Sequence, residues 1–376
     1  MKEEKLFQEF KPVSTDEWKK KIIKDLKGAD YDKKLVWHTD SGFDLQPFYR
    51  AEDLENLTYL ESFPGNFPYT RGNEQKSNNW KVNQLIDVKD IAEGNKRAVE
   101  IRAKGVDSLA FTFKSDYKPT ESDIDSLLDN IRIDEVEVNF RTDFPEKMIK
   151  ILENIARKDN RDLEKIRGSV YCDPLSEYST GQKKDFDAER EFLDVANNFR
   201  KAKNLCNFHC LTVDGSIFHN SGASTVSEIA FTLSMAVEYL NRLTDSKLDV
   251  DMISRHIRFN LAAGPSYFVE IAKLRAVRFL WAKIMKEYGI NNSSSARMCV
   301  HSVSSSINKT IYDPYVNMLR TTTETMSAAL GGADSITVLP FDFTMEKTSE
   351  LGQRIARNQQ LLLKGESHFD KVNDPA

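Results

Sequence analysis

From residue 80 onward the chain repeats one order of elements eight times: a short β-branched or apolar run, then a longer stretch of helical period. "WKVNQLIDV" (80–88) leads to a helix from Ile91 to about Lys104, and "SLAFTFK" (108–114) to a shorter one near 121–130. "VEVNFRT" (136–142) leads to "FPEKMIKILENIARKD", where Met148, Ile151, Leu152 and Ile155 share a face, Asp143 is placed to cap and Pro145 sits in the first turn. "IRGSVYCD" (166–173), "FHCLTVDGS" (208–216), "IRFNLAAG" (257–264), "ARMCVHSVS" (296–304) and "SITVLPFD" (335–342) continue the pattern. Their helices fall near 187–204, from Thr225 with Thr225-x-x-Glu228 as a capping box, and near 266–288, 313–330 and 348–365. Eight consecutive β/α units over about 285 residues match the α/β class of the closed (β/α)8 TIM barrel better than an open doubly wound sheet. G-x-G-x-x-G and G-x-x-x-x-G-K-[ST] are both absent, so nothing supports a Rossmann dinucleotide site or a P-loop.

The expected organisation is therefore an N-terminal extension, residues 1–79, and a barrel, residues 80–376. The extension carries one amphipathic helix near 15–27, with Trp18, Ile22, Ile23 and Leu26, and then aromatic-rich chain. With 30% charged and 40% hydrophobic residues, and no apolar run near the roughly 20 residues that cross a bilayer, no membrane partner is expected. The charged N-terminus lacks an apolar signal region, which points to the cytoplasm. A net charge of −5 with dispersed basic residues gives no nucleic-acid footprint. Cys206, His209 and Cys210 lie in a strand-like run that points them to different faces, so no metal site is expected.

In such a barrel the reactive groups sit at the C-terminal ends of the strands. His219 and His301 are the acid or base candidates there, because imidazole titrates nearest neutral pH. Asp173, Asp214 and Asp342 follow strands as well, where a lone Asp is more often a helix cap than a base. Ser302, Ser304, Ser305 and Ser306 have no evident His-Asp partnership, and G-x-S-x-G is absent.

One stretch ahead of the barrel is unusual: "FPGNFPYTRG", residues 63–72, with three aromatic residues, two prolines, two glycines and Arg71. It resembles the P-G-x-x-P-[FY]-T-R-G signature of the methylmalonyl-CoA mutase family. "FKPVSTDEWKKKIIKDLKG", "GASTVSEIAFTLSMAVEYLNRL" (222–243), "YFVEIAKLRAVRFLWAKI" (267–284), "DPYVNMLRTTTETMSAALGGADSI" (313–336) and "LGQRIARNQQLLLK" (351–364) resemble family segments in the same order. The resemblance implies a barrel that encloses an acyl-CoA threaded along its axis, with adenosylcobalamin supplying a radical. It makes Tyr69, Thr70 and Arg71 the candidate substrate-binding residues. The family holds cobalamin in a separate C-terminal domain with a D-x-H-x-x-G motif, which these 376 residues do not contain. The ending "NDPA" resembles the family's continuation into that part, which implies a chain truncated before it.

Three departures matter. After T-R-G the family's loop P-Y-x-T-M-Y-T-x-R-P-W is replaced by "NEQKSNN", which has no tyrosine. Counting back from Gly222, the family's catalytic histidine falls on Ile217, with His219 two positions later. In the H-x-Q-T-S-G stretch His301 is kept but Val303 replaces the glutamine. These losses resemble the small, non-catalytic subunit of the heterodimeric bacterial enzyme. They imply a large catalytic subunit as partner, a homodimer when that partner is missing, adenosylcobalamin in the complex and no cofactor on this chain. The alternative is an active acyl-CoA mutase barrel of altered specificity using His219 and His301, and side chains filling the barrel axis would favour the first.

Overall fold

The computed structural model describes residues 9–57 and 60–374. The chain divides into two compact units, Met1–Leu60 and Glu61–Ala376. In the first, the helix Thr15–Asp25 opens with a capping box between Ser14 and Glu17. A short hairpin pairs Trp37–His38 with Asp44–Leu45, and the Trp18 ring meets Phe48 edge-on at 6.1 Å.

The second unit is the expected barrel. Its strands are β1 (Lys81–Val88), β2 (Ser108–Phe113), β3 (Glu137–Arg141), β4 (Arg167–Tyr171), β5 (Asn207–His209 and Leu211–Asp214), β6 (Ile257–Ala263), β7 (Val300–Ser304) and β8 (Ser335–Thr337). The helices that follow them are α1 (Ile91–Ala103), α2 (Glu121–Leu127), α3 (Pro145–Lys158), α4 (Ala188–Ala202), α5 (Thr225–Asp245), α6 (Tyr267–Glu287), α7 (Asn317–Leu330) and α8 (Glu350–Gly365). Every strand pairing in this unit is parallel. Among the described residues no helix is long and apolar enough to cross a membrane.

Closure of the ring depends on β5, which breaks at Cys210. Asn207–His209 pairs with β4, whereas Leu211–Asp214 pairs with β6. Cys210 N and Leu211 N both donate to His256 O, at 3.0 and 3.2 Å, so two residues oppose one, as in a β-bulge. Thr212 N still donates to Cys172 O at 3.1 Å, which keeps the β4 side attached. One irregular strand thus joins the two edges of the sheet.

Two local expectations need correction. Asp143 does not cap α3, whose N-cap is Phe144; its carboxylate instead accepts from Ser115 Oγ at 3.0 Å and Asp116 N at 2.9 Å. Glu228 closes no capping box, because Ser224 caps α5 and Glu228 is buried elsewhere.

β8 is also shorter than the run "SITVLPFD" suggests. Its ladder with β1 ends at Thr337↔Asn83, while β1 stays paired with β2 as far as Val88↔Phe113. The sheet therefore parts between β8 and β1 toward its C-terminal end.

Gly168, opposite Val138 in the β3–β4 ladder, has φ +131°, and a Cβ there would lie 1.9 Å from Val138 O. Only glycine fits a carbonyl that close. Gly168→Ala is expected to destabilise the chain by about 3 kcal/mol or more, seen as a lowered urea midpoint. An unchanged midpoint would mean that β4 can move away from β3 without cost.

Candidate functional site

The candidate residues fall at three levels along the barrel. At the N-terminal ends of the strands lies the 63–72 segment. Tyr69 is buried and its hydroxyl donates to Ser293 O at 3.0 Å, just ahead of β7. The Arg297 guanidinium stands 5.4 Å from the centre of its ring. Arg71 pairs with Asp374, Nε to Oδ2 at 3.2 Å and Nη2 to the backbone oxygen at 2.9 Å, and Arg275 reaches the same carboxylate. Thr70 is buried, and among the described residues its hydroxyl has no partner. Asn73 fastens the segment's exit, donating to Met298 O at 2.8 Å and to Asp334 Oδ1 at 3.1 Å. The three expected substrate-binding residues therefore sit at the end of the barrel opposite the strand C-termini.

The middle level is the axis. His301, the second residue of β7, shares hydrogen bonds with Ser335 Oγ at 2.7 Å and Thr337 Oγ1 at 3.1 Å. Thr337 donates its one proton to Asn83 Oδ1 at 2.6 Å, so its oxygen accepts from His301 Nε2, and Nδ1 accepts from Ser335. Burial, and then the nearby Arg258 charge, push the His301 pKa well below its usual value, which fits this neutral tautomer. The chain of bonds runs on through Asn83 Nδ2 to Ser108 Oγ at 2.8 Å and Asn139 Nδ2 to the same oxygen at 3.0 Å. Ser169 Oγ donates to Asn139 Oδ1 at 2.8 Å. Arg258 of β6 crosses to Asn139 Oδ1 at 2.6 Å and Ser169 Oγ at 2.9 Å. Since β6 neighbours neither β3 nor β4, that guanidinium spans the interior. A belt of buried polar side chains from every strand except β5 thus closes the axis.

The third level, at the strand C-termini, holds His219 on the short helix Ser216–Asn220 after β5. Its Nε2 meets Ser305 Oγ at 2.8 Å, and its Nδ1 lies 3.7 Å from Glu228 Oε2. Gly264 makes room for the ring, since a Cβ there would come within 2.7 Å of His219 Cε1. Behind it, Lys273 Nζ contacts Glu228 Oε2 at 2.8 Å, Ala262 O at 2.7 Å and Glu270 Oε2 at 2.6 Å. Burial opposes the Lys273 charge, but the two carboxylates outweigh it and hold its pKa above the ordinary value. Nearby, the buried Lys309 Nζ bridges Glu324 Oε2 at 2.7 Å and Asn308 Oδ1 at 2.7 Å. These ion pairs tie the ends of β6 and β7 to α5, α6 and α7, and losing one partner would strand a buried charge.

His219 and His301 are therefore not brought together: one borders the C-terminal mouth, the other is locked in the axis. Asp173, Asp214 and Asp342 serve local structure. Asp173 caps the helix Pro174–Ser179 and accepts from Tyr239 Oη at 2.6 Å, with burial raising its pKa to about 6. Asp214 accepts from Ser216 N at 3.1 Å, and Asp342 from Ser349 N at 2.7 Å. Sequence reasoning missed Asn83, Asn139, Arg258, Lys273 and Glu228. The available signal was a polar residue alternating with apolar ones in a strand, such as Asn139 in "VEVNF" or Arg258 in "IRFNL".

Burial, and then Lys273, lower the His219 pKa from 6.5 to about 4. The unfolded chain takes up this proton first, so the neutral ring contributes its full stability above pH 6.5 and loses it as pH falls toward about 4. Between those limits the native protein is expected to lose stability relative to His219→Gln, checked by urea midpoints of both at several pH values. A difference that stays constant with pH would show that His219 does not titrate in this way.

The methylmalonyl-CoA mutase family model matches residues 38–121 and 118–376. The methylmalonyl-CoA mutase small subunit of Porphyromonas gingivalis is 42% identical over 377 residues, covering 99% of this chain and 60% of that protein. The small subunit from Streptomyces virginiae is 32% identical over 392 residues, covering 99% of this chain and 61% of its own length. The large subunit from the same organism is 28% identical over 389 residues, covering 96% and 53%. The chain thus spans about three-fifths of the small subunits it matches.

Proposed function

This chain belongs to the methylmalonyl-CoA mutase family, and we propose that its part there is that of the small, non-catalytic subunit. On this reading it pairs in the cytoplasm with a large catalytic subunit, and the complex interconverts methylmalonyl-CoA and succinyl-CoA with adenosylcobalamin. The observation that carries the reading is the belt across the axis. A CoA chain threaded there would have to displace Arg258 and break the run of bonds from His301 to Ser169. Every group it displaced would then be a buried polar atom in need of a new partner. The identity to small subunits over 99% of the chain supports the same reading.

His209, His219 and His301 do not fit a cobalamin ligand. Both nitrogens of His301 are engaged within the axis, His219 Nε2 is held by Ser305, and His209 is half-buried with Nδ1 on Gly168 O at 3.1 Å. No step is assigned to the cofactor on this chain. Residues 1–79 are proposed as subunit-contact chain. Exposed apolar side chains such as Phe268, Tyr312 and Leu319 also support a surface covered by another chain, either the large subunit or, in its absence, a second copy.

An active acyl-CoA mutase barrel of altered specificity, using His219 and His301, is the competing reading, and the place of His219 at the mouth is what favours it. Calorimetric titration separates the two. Methylmalonyl-CoA and succinyl-CoA are expected to give no saturable heat with this chain alone, whereas a large subunit binds it at about micromolar Kd or tighter. Saturable acyl-CoA binding to this chain alone, lost in His219→Ala or His301→Ala, would overturn the proposal.

A further inference from the structure

Where the sheet parts between β8 and β1, a cavity of about 510 Å³ opens between these strands and helices α1 and α8. That is within the usual size range for small-ligand pockets. Its inner wall carries Arg357 of α8 and Gln84 of β1, both more than nine-tenths buried. Arg357 Nη1 donates to Gln84 Oε1 at 3.1 Å. Among the described residues Arg357 Nε and Gln84 Nε2 are buried donors without a partner, and Arg357 forms no ion pair.

The contrast with other arginines is informative. Arg97, lining the same cavity, donates to Glu100 at 3.1 Å and Gln353 at 2.9 Å and has Glu350 at 3.8 Å. Arg278, fully buried, donates to the carbonyls of Leu274, Gly331 and Gly332. Arg357 donates only to the Gln84 amide oxygen, although Arg278 Nε also lacks a partner among the described residues. Burial, and then the Arg97 charge, lower the Arg357 pKa against the opposing pull of Glu100 and Glu350.

We propose that this cavity binds the carboxylate of a small, apolar organic acid, with Arg357 and Gln84 as its donors. A guanidinium presents neighbouring N–H groups in one plane, which matches a planar carboxylate. Ile86, Val338, Leu339 and Ala356 line the remaining wall and suit a short hydrocarbon body. Asp87, Asp90 and Glu93 also line the cavity and are matched by Lys89, Arg97 and Lys347, so the preference for a carboxylate rests on the planar donors and the apolar wall. The donors Arg357 and Gln84 are not part of the axial run, although Asn83 and Thr337 of that run also border the cavity, and the site does not depend on whether the chain is catalytic.

Butyrate is the probe, with inorganic phosphate as the comparison, titrated calorimetrically into the full chain. Saturable butyrate binding at about millimolar Kd is expected. Gln84→Met and Arg357→Gln should each weaken it at least about tenfold, a loss of roughly 1.4 kcal/mol. Gln84→Met keeps the side-chain length, so it carries the test if Arg357→Gln does not fold. The proposal is overturned by no saturable binding, by binding that Gln84→Met leaves unchanged, or by phosphate binding more tightly than butyrate.

Discussion

The rest of the barrel depends on how its axis is filled. An eight-stranded barrel has room inside for side chains only, and large apolar residues usually occupy it. Here the filling is polar. Asn83, Ser108, Asn139, Ser169, Arg258, His301 and Thr337 are all buried, and each can lie there only because a neighbour accepts or donates. The bonds run between strands that already pair, apart from Arg258, which reaches across the barrel from β6. That one side chain couples opposite walls, so the ring is braced from within as well as around its circumference.

A second consequence concerns where charge is allowed. At the C-terminal mouth Glu228, Glu270 and Lys273 are buried within one cluster, and Lys309 with Glu324 in another. Each cation is matched by a carboxylate, so the clusters work as rigid ties between strands and helices, not as reagents with a free proton. His219 borders them as a neutral base because burial, and then Lys273, disfavour its charged form. Burial thus weakens it as an acceptor of protons near neutral pH.

Most of the fold was legible in the order of elements, since eight β-then-α repeats leave few architectures to choose from. The exceptions were those set by contacts distant in sequence. The break in β5 at Cys210 depends on where the His256 carbonyl lies, and the early end of β8 depends on β1. Glu228 reads as a capping residue from its spacing but is drawn into the core by Lys273, 45 positions away. The site was less legible for the same reason. His219 and His301 were found by residue type, but that one is at the mouth and the other held in the axis follows from their places on the short helix after β5 and on β7. Tyr69, Thr70 and Arg71 were marked by an unusual local composition, which does not reveal which end of the barrel they occupy.

The two polar features of the barrel differ in how many bonds a guest would have to break. In the axis, the hydroxyl and amide groups are distributed so that His301 can be given a single tautomer from its neighbours alone. Among the described residues Arg258 Nε lacks a partner there too, but a guest would have to replace the bonds already made around it. Beside α8 a buried guanidinium and an amide are short of acceptors next to open volume. A guest there adds bonds without breaking any. In a chain whose axial route is closed by its own side chains, the gap between β8 and β1 is therefore where binding energy remains to be gained.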